Sequence, residues 1–271
     1  MIESIGSDVL PWSLKGYQKI LELARSRGYT TSCFKDFSPA DATPVLLLRH
    51  DLDHSLRAAL PMAELESGLG IRSTYFVQVT CDFYNLLGQE GRAIVRRMVT
   101  LGHEVGLHYD SRRYAEALSR GGLEQAEQSL RLDMSLLEDI SGQPVISASQ
   151  HIPTEGPDFD VSAHIVNEAY APRFTEGEMQ YISDSLMAWR QATPLELINT
   201  GASFQLLTHP MNWGDALTGM HSALERALAK ECDALRTRYI EVESYYEDLM
   251  KRRTDLDARF RARRSGKRGH G

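Results

Sequence analysis

The chain has 271 residues, a formal net charge of −7, 42% hydrophobic residues and 8% aromatics. That composition supports one sizeable α/β core and excludes a disordered chain. No apolar run approaches the ~20 residues of a membrane span, and the opening MIESIGSDVLPW lacks the basic start and apolar core of a signal peptide, so a cytoplasmic protein is expected.

Helical and strand-like patterns alternate along the chain with short joints, the signature of βα units and parallel strands. Leu14 to Arg27 has helical spacing and stops at Gly28. Val45 to Leu48 reads as a strand buried on both faces, and it ends in Arg49, His50, Asp51, Leu52, Asp53 and His54. Ser55 then reads as the N-cap of LRAALPMAELESGLG, with Pro61 marking an early turn or kink. STYFVQ is a strand, Gly91 to Leu101 a helix, and HEVGLHYD a second strand with a polar tip. An amphipathic helix follows over roughly Gly122 to Ile140. PVISASQHIP, MQYISDSL and SFQLLTHP supply three further strands with polar tips, and Gly214 to Arg264 is helix-prone, ending in a charged outer helix. The domain expectation is a single α/β domain over residues 1–250 and a basic helix end and tail over 251–271.

That tail holds nine Lys or Arg against Asp255 and Asp257, which leaves the preceding residues strongly acidic. Polyanions are repelled by such a surface, and no aromatic stacking set accompanies the tail, so a nucleic-acid partner is not expected. Cys33, Cys81 and Cys232 are widely spaced and in no CxxC pattern, which excludes a disulfide framework and a thiolate metal site.

The predicted strand tips collect Asp51, Asp53, His108, His151, Asp184 and His209. In open or barrel α/β folds ligands gather at the carboxyl ends of strands. Oxygen and imidazole donors without thiolate suit one divalent metal, Zn²⁺ as first choice with Co²⁺, Mn²⁺ or Fe²⁺ tolerated. Adjacent strand residues face opposite sides of a sheet, so His50 and His54 are left outside the first coordination shell. His164, His221 and His270 are read as structural or solvent-facing.

The segments RHDLD, GIRSTYFV, GHEVGLH, SQHIP, YISDS with Trp189, and LLTHP, in this order over about Val45 to Pro210, resemble the polysaccharide deacetylases, the fourth carbohydrate esterase family. That resemblance implies a distorted (β/α) barrel of about seven parallel strands, here with a long C-terminal helix. It also implies one divalent metal and removal of an acyl group from an N-acylated amino sugar. Asp51 matches the family's general base, and Asp53 is assigned as metal ligand although Leu52 separates the two, where the family has adjacent aspartates. His108 matches the first histidine of the second motif. The second histidine is absent, because position 112 is Arg, and a guanidinium does not coordinate metal. His151, at the next strand tip, is taken as the substitute, with Asp110 as second choice. His209 matches the general acid, Asp184 the acid that orients or tunes other groups of the site, and Trp189 an apolar wall.

The expected function is therefore a metal-dependent deacetylase or amidohydrolase acting on an N-acyl amino sugar in surface polysaccharide assembly, such as lipopolysaccharide or O-antigen. Its alternatives are a sugar- or partner-binding barrel that has lost hydrolysis, or a hydrolase of a small cyclic imide or amide. The sequence leaves the oligomeric state open.

Overall fold

The computed structural model describes residues 10–38, 43–153, 155, 160–177, 179–214 and 217–266. The stretch 1–9, on which the reading of a missing signal peptide partly rests, and His270 lie outside the described residues. The chain divides into two compact units, Met1–Leu224 and Glu225–Gly271.

Unit one runs α1 (Leu14–Ser26), β1 (Thr30–Ser32), β2 (Val45–Leu52), α2 (Ala59–Gly68), β3 (Thr74–Val77), α3 (Gln89–Thr100), β4 (Glu104–Asp110) and α4 (Ser111–Ser141). It continues with β5 (Ser147–His151), β6 (Asn167–Glu168), α5 (Pro172–Thr175), β7 (Met179–Ser183), α6 (Pro194–Thr200) and β8 (Ser203–Thr208). Helix α7 (Met220–Lys251) begins in this unit and runs through the second, where α8 (Arg253–Gly266) follows.

Seven strands pair in the order β6-β5-β4-β3-β2-β8-β7, and β1 adds to β2. Every ladder is parallel. This is the distorted (β/α) barrel expected, curled but open between β6 and β7. Side chains bridge the opening: Tyr170, just after β6, meets Tyr181 of β7 edge-on at 5.8 Å between ring centroids.

Strand alternation fills the barrel in layers. Leu47 and Phe76 pack with Phe34 and Phe174 as its apolar floor. Gly106 belongs to that floor for a steric reason: a Cβ there would lie 2.5 Å from the Phe76 ring and 2.8 Å from the Ser147 carbonyl oxygen. On the outside, α2, α3 and α4 bury Ala63, Val95, Met98, Leu130 and Leu137 against Tyr75, Val105 and Leu107. Helices α1 and α6 bury Ile20, Leu21 and Ile198 against Leu46, Leu48 and Leu206.

Two helices depart from the expected bounds. Helix α2 starts at Ala59 rather than just after Ser55. This start places Pro61 in the first turn, where its missing N–H leaves no hydrogen bond unmade, and Ser55 Oγ accepts from the Ala58 N–H at 3.3 Å. Helix α4 begins well before Gly122, at Ser111, and is interrupted at Gly121 and Gly122, the latter at φ 70°.

On the helix-facing side of β2 and β3 sits a buried carboxylate, Glu66 of α2. Its Oε1 accepts from the Tyr17 hydroxyl and lies 2.8 Å from His50 Nε2. Its Oε2 accepts from Ser73 Oγ and Tyr75 OH, each at 2.7 Å. His50 Nδ1 reaches Thr208 Oγ1 at 2.6 Å, so the network ties α1, α2, β2, β3 and β8 together. Burial by itself would raise the Glu66 carboxyl, but His50 and its other donors outweigh that and hold it at about 2. A depressed carboxyl stabilises the fold above its ordinary value of about 4.5, and that contribution is lost as pH falls towards 2. We expect Glu66→Gln to lose about 3 kcal/mol at neutral pH and to flatten the pH dependence of stability below about pH 5. Urea unfolding at a series of pH values reads both, and an unchanged acid slope would remove Glu66 from the account.

Candidate metal and catalytic site

Strand β2 is buried along its whole length. Its period of two turns Arg49 and Asp51, and then Asp53, towards the barrel interior, while His50 faces the helices and joins the Glu66 network. Arg49 is wholly buried. Its Nε and Nη2 donate to the two oxygens of Asp51 at 3.0 and 2.8 Å, and Nη1 donates to Gln205 Oε1 at 3.1 Å. Nη2 also donates to Ser149 Oγ, and the guanidinium lies 4.3 Å from the Tyr170 ring centre. Burial opposes the charge on Asp51, but the Arg49 guanidinium outweighs it, with help from His108 and His209, and holds the carboxyl below its usual range.

One layer higher, three donors converge. His108 Nε2 lies 3.0 Å from Asp53 Oδ1, His151 Nδ1 lies 3.3 Å from the same oxygen, and the two ring nitrogens are 3.2 Å apart. Among the described residues this is the cluster of His, Cys, Asp and Glu whose ligand atoms lie close enough to hold a metal. Two ligands about 2.0–2.1 Å from a tetrahedral ion stand about 3.3–3.4 Å apart, so the triangle is close to the size of one face of such a site. The His108 Nδ1–H donates to the Ser149 carbonyl at 2.9 Å, which directs Nε2 into the triangle. Burial would favour neutral Asp53, yet hydrogen bonds from His108 and His151 hold it well below its usual range. His108 shifts the opposite way, upward, because Asp51 and Asp53 outweigh its burial. Groups that share a proton shift in this manner, and a divalent cation takes such a proton's place.

Across the cavity, His209 donates from Nδ1 to Asp184 Oδ1 at 2.6 Å, and its Nε2 faces Asp53 Oδ2 at 3.5 Å. Asp184 is fully buried and also accepts from the His209 backbone N–H at 3.0 Å and from Trp213 Nε1 at 2.9 Å. Burial disfavours the imidazolium, but Asp184 overcomes it and His209 is pushed up to about 9.

The site thus brings Asp51, Asp53, His108, His151, Asp184 and His209 together around one cavity of about 250 Å³, which Asp51, Asp53, His108, His151 and His209 line. Asp110, the second choice for third ligand, is turned away: its side chain caps α4 through the Arg112 N–H at 3.0 Å and pairs with the Arg112 guanidinium at 2.8 Å. Trp189 does not line the cavity; it stacks on Trp12 at 5.4 Å between centroids. The apolar lining comes from Ile152, Leu186, Leu207, Met211 and Met220. Ile152 and Leu186 hold φ of 47° and 60°, a region L-residues rarely enter, and such strain collects at functional sites. Sequence reasoning leaves the Trp213 contact unassigned and leaves Arg49 open between a structural salt bridge to a carboxylate and a contact with a substrate acid group; Arg49 pairs with Asp51. For Arg49 the signal is present in its spacing of two from Asp51 on one strand.

No family model and no curated protein matches the chain. Solved structures do. Peptidoglycan deacetylase PdaC from Bacillus subtilis is 17% identical, with 74% of this chain and 100% of that one covered, at a TM-score of 0.38. A family 4 carbohydrate esterase from Bacillus anthracis is 16% identical over 80% of this chain and 85% of that one, TM-score 0.39. A pseudoenzyme of the same family, also from Bacillus anthracis, is 16% identical over 74% of this chain and 66% of that one, TM-score 0.40. At this distance function has to be argued from the side chains of the site.

Purified protein dialysed against Zn²⁺ is expected to retain about one ion per chain. Asp53→Ala and His151→Ala each lower its affinity by 10-fold or more, while Asp110→Ala leaves it unchanged. Elemental analysis of the dialysed proteins reads this, and an Asp110 variant that loses metal would reassign the third ligand.

Proposed function

We propose that the chain is a metal-dependent hydrolase that removes the N-acyl group of an amino sugar. The observation that carries this reading is the Asp53, His108 and His151 triangle, flanked in one cavity by the Asp51 carboxyl group and the His209 imidazole. A divalent cation held by the three donors supplies Lewis acidity towards a carbonyl oxygen and lowers the pKa of water.

The chain's own groups perform the proton transfers. Asp51 is the base: its carboxylate is fixed by Arg49 and Ser149 Oγ, and it takes the proton of the attacking water. The hydroxyl adds to the acyl carbon. His209 is the acid: Asp184, itself fixed by Trp213, keeps its Nδ1 occupied, so Nε2 delivers a proton to the departing nitrogen as the C–N bond breaks. The products are a carboxylic acid and the free amine, and atoms balance without a covalent intermediate.

The sugar reading is supported by the motif resemblance and by a second hollow of about 580 Å³ that shares Ile152, Pro153, Tyr170, Ser185 and Leu186 with the site. Tyr170, Tyr181, Arg190 and Gln191 line it, an aromatic and polar surface of the kind that holds a ring bearing hydroxyl groups. The place in surface polysaccharide assembly rests on the motif resemblance alone.

Released acid from a panel of N-acetylated amino sugars and short oligomers tests the proposal. Asp51→Asn is expected to lower kcat by at least 100-fold while retaining metal, and His209→Gln to do the same. Turnover retained in the Asp51 variant would overturn the mechanism. Metal binding with no turnover of any panel member would instead favour the binding barrel.

A further inference from the structure

The second unit carries an apolar seam that the catalytic reading does not use. From Leu228 onward, Leu228, Leu235, Val242, Leu249 and Leu256 recur every seven residues, and Cys232, Tyr239, Tyr246 and Phe260 follow four residues after members of that series. In heptad notation the first set occupies d and the second a, with Arg253 as the one charged residue at a. Leu228, Leu235, Tyr239, Val242, Tyr246, Leu256 and Phe260 are between 39% and 71% exposed, and Cys232 is exposed as well. Apart from Ile240, the positions facing away are polar or small: Asp233, Ala234, Thr237, Glu241, Ser244, Glu247, Asp248 and Lys251. Helix α7 holds this 3.5-residue apolar repeat over its last three heptads and α8 carries it on beyond Arg252, the pattern of a coiled-coil strand.

The flanking positions identify the occupant. In a parallel, in-register pair of copies, each g residue meets the e residue five positions later on the other chain. Glu231 then meets Arg236, Arg238 meets Glu243, Tyr245 meets Met250 and Arg252 meets Asp257. Three contacts join opposite charges and the fourth joins two apolar side chains. An antiparallel pair with the same overlap joins opposite charges only at Glu231 and Arg252, and sets Arg238 against Tyr245 and Glu243 against its own copy. Leucine holds four of the five d positions, the d residue of two-stranded parallel coils.

We propose that residues 228–257 form a parallel, in-register, two-stranded coiled coil with a second copy of this chain. The Arg253 position costs stability and fixes the register, as a polar a residue does.

Sedimentation equilibrium of the full chain should give twice the 30.5 kDa chain mass at micromolar concentration. The double variant Leu235→Glu, Val242→Glu should sediment as a monomer while its metal content stays that of the parent. A monomeric parent, a trimer, or a dimer indifferent to the double variant would each overturn the proposal. Orientation is read separately. An in-register parallel seam places Cys232 opposite its own copy, within disulfide reach. Oxidised glutathione should therefore convert two Cys232 thiols to one interchain disulfide, releasing two reduced glutathione molecules, and Cys232→Ser should abolish the cross-link. A dimer that resists cross-linking at Cys232 would exclude the parallel register. Glu231→Arg should weaken the dimer about 10-fold at low salt, and adding Arg236→Glu should restore it; failure of the restoring change would exclude the g-to-e pairing.

Discussion

A guanidinium without water sets the plan of the barrel. Removing an arginine from solvent costs several kcal/mol, recovered only when each guanidinium nitrogen finds an acceptor and a carboxylate balances the charge. Arg49 meets both conditions through Asp51, Gln205 and Ser149, which come from three different strands, and through the Tyr170 ring beside the barrel opening. The ion pair therefore closes the polar interior over the apolar floor of Phe34, Leu47, Phe76 and Phe174. It also fixes the Asp51 carboxylate in position and favours its ionised form before any ligand arrives.

The other face of the same strand repeats the device with the signs exchanged. There the buried charge is the Glu66 carboxylate, and hydroxyls and histidines satisfy it. His50 and Thr208 are chain neighbours of Asp51 and His209, so this outer network braces the strands that position those two side chains. Two groups proposed to act across a cavity need such support, because side chains at strand tips are only as well placed as the strands beneath them.

Much of the fold is legible because six strands announce themselves as apolar runs with polar ends. The rest escapes for identifiable reasons. Strands β1 and β6 span three and two residues and leave no periodic trace. The first part of α4 is hidden because Gly121 and Gly122 break the helical pattern at the point where the helix itself is interrupted. At the site, the spacing of two along β2 separates inward Asp51 from outward His50, and it also pairs Arg49 with Asp51, a relation that motif comparison passes over. Trp189 illustrates the opposite error: an aromatic beside a motif is drawn into a stack with Trp12 and leaves the cavity wall to Leu186 and Ile152. In the second unit the abundance of charge masks a heptad, since charged residues at e and g are part of that pattern.

Asp53, His108 and His151 are proposed to share one ion, and the local structure around a bound metal tests that most directly. X-ray absorption at the metal edge of the Zn²⁺-loaded protein should show nitrogen and oxygen ligands at about 2.0–2.1 Å with the multiple-scattering pattern of two imidazoles. A shell of oxygens without imidazole scattering, or sulfur at about 2.3 Å, would contradict the assignment and with it the proposed hydrolysis.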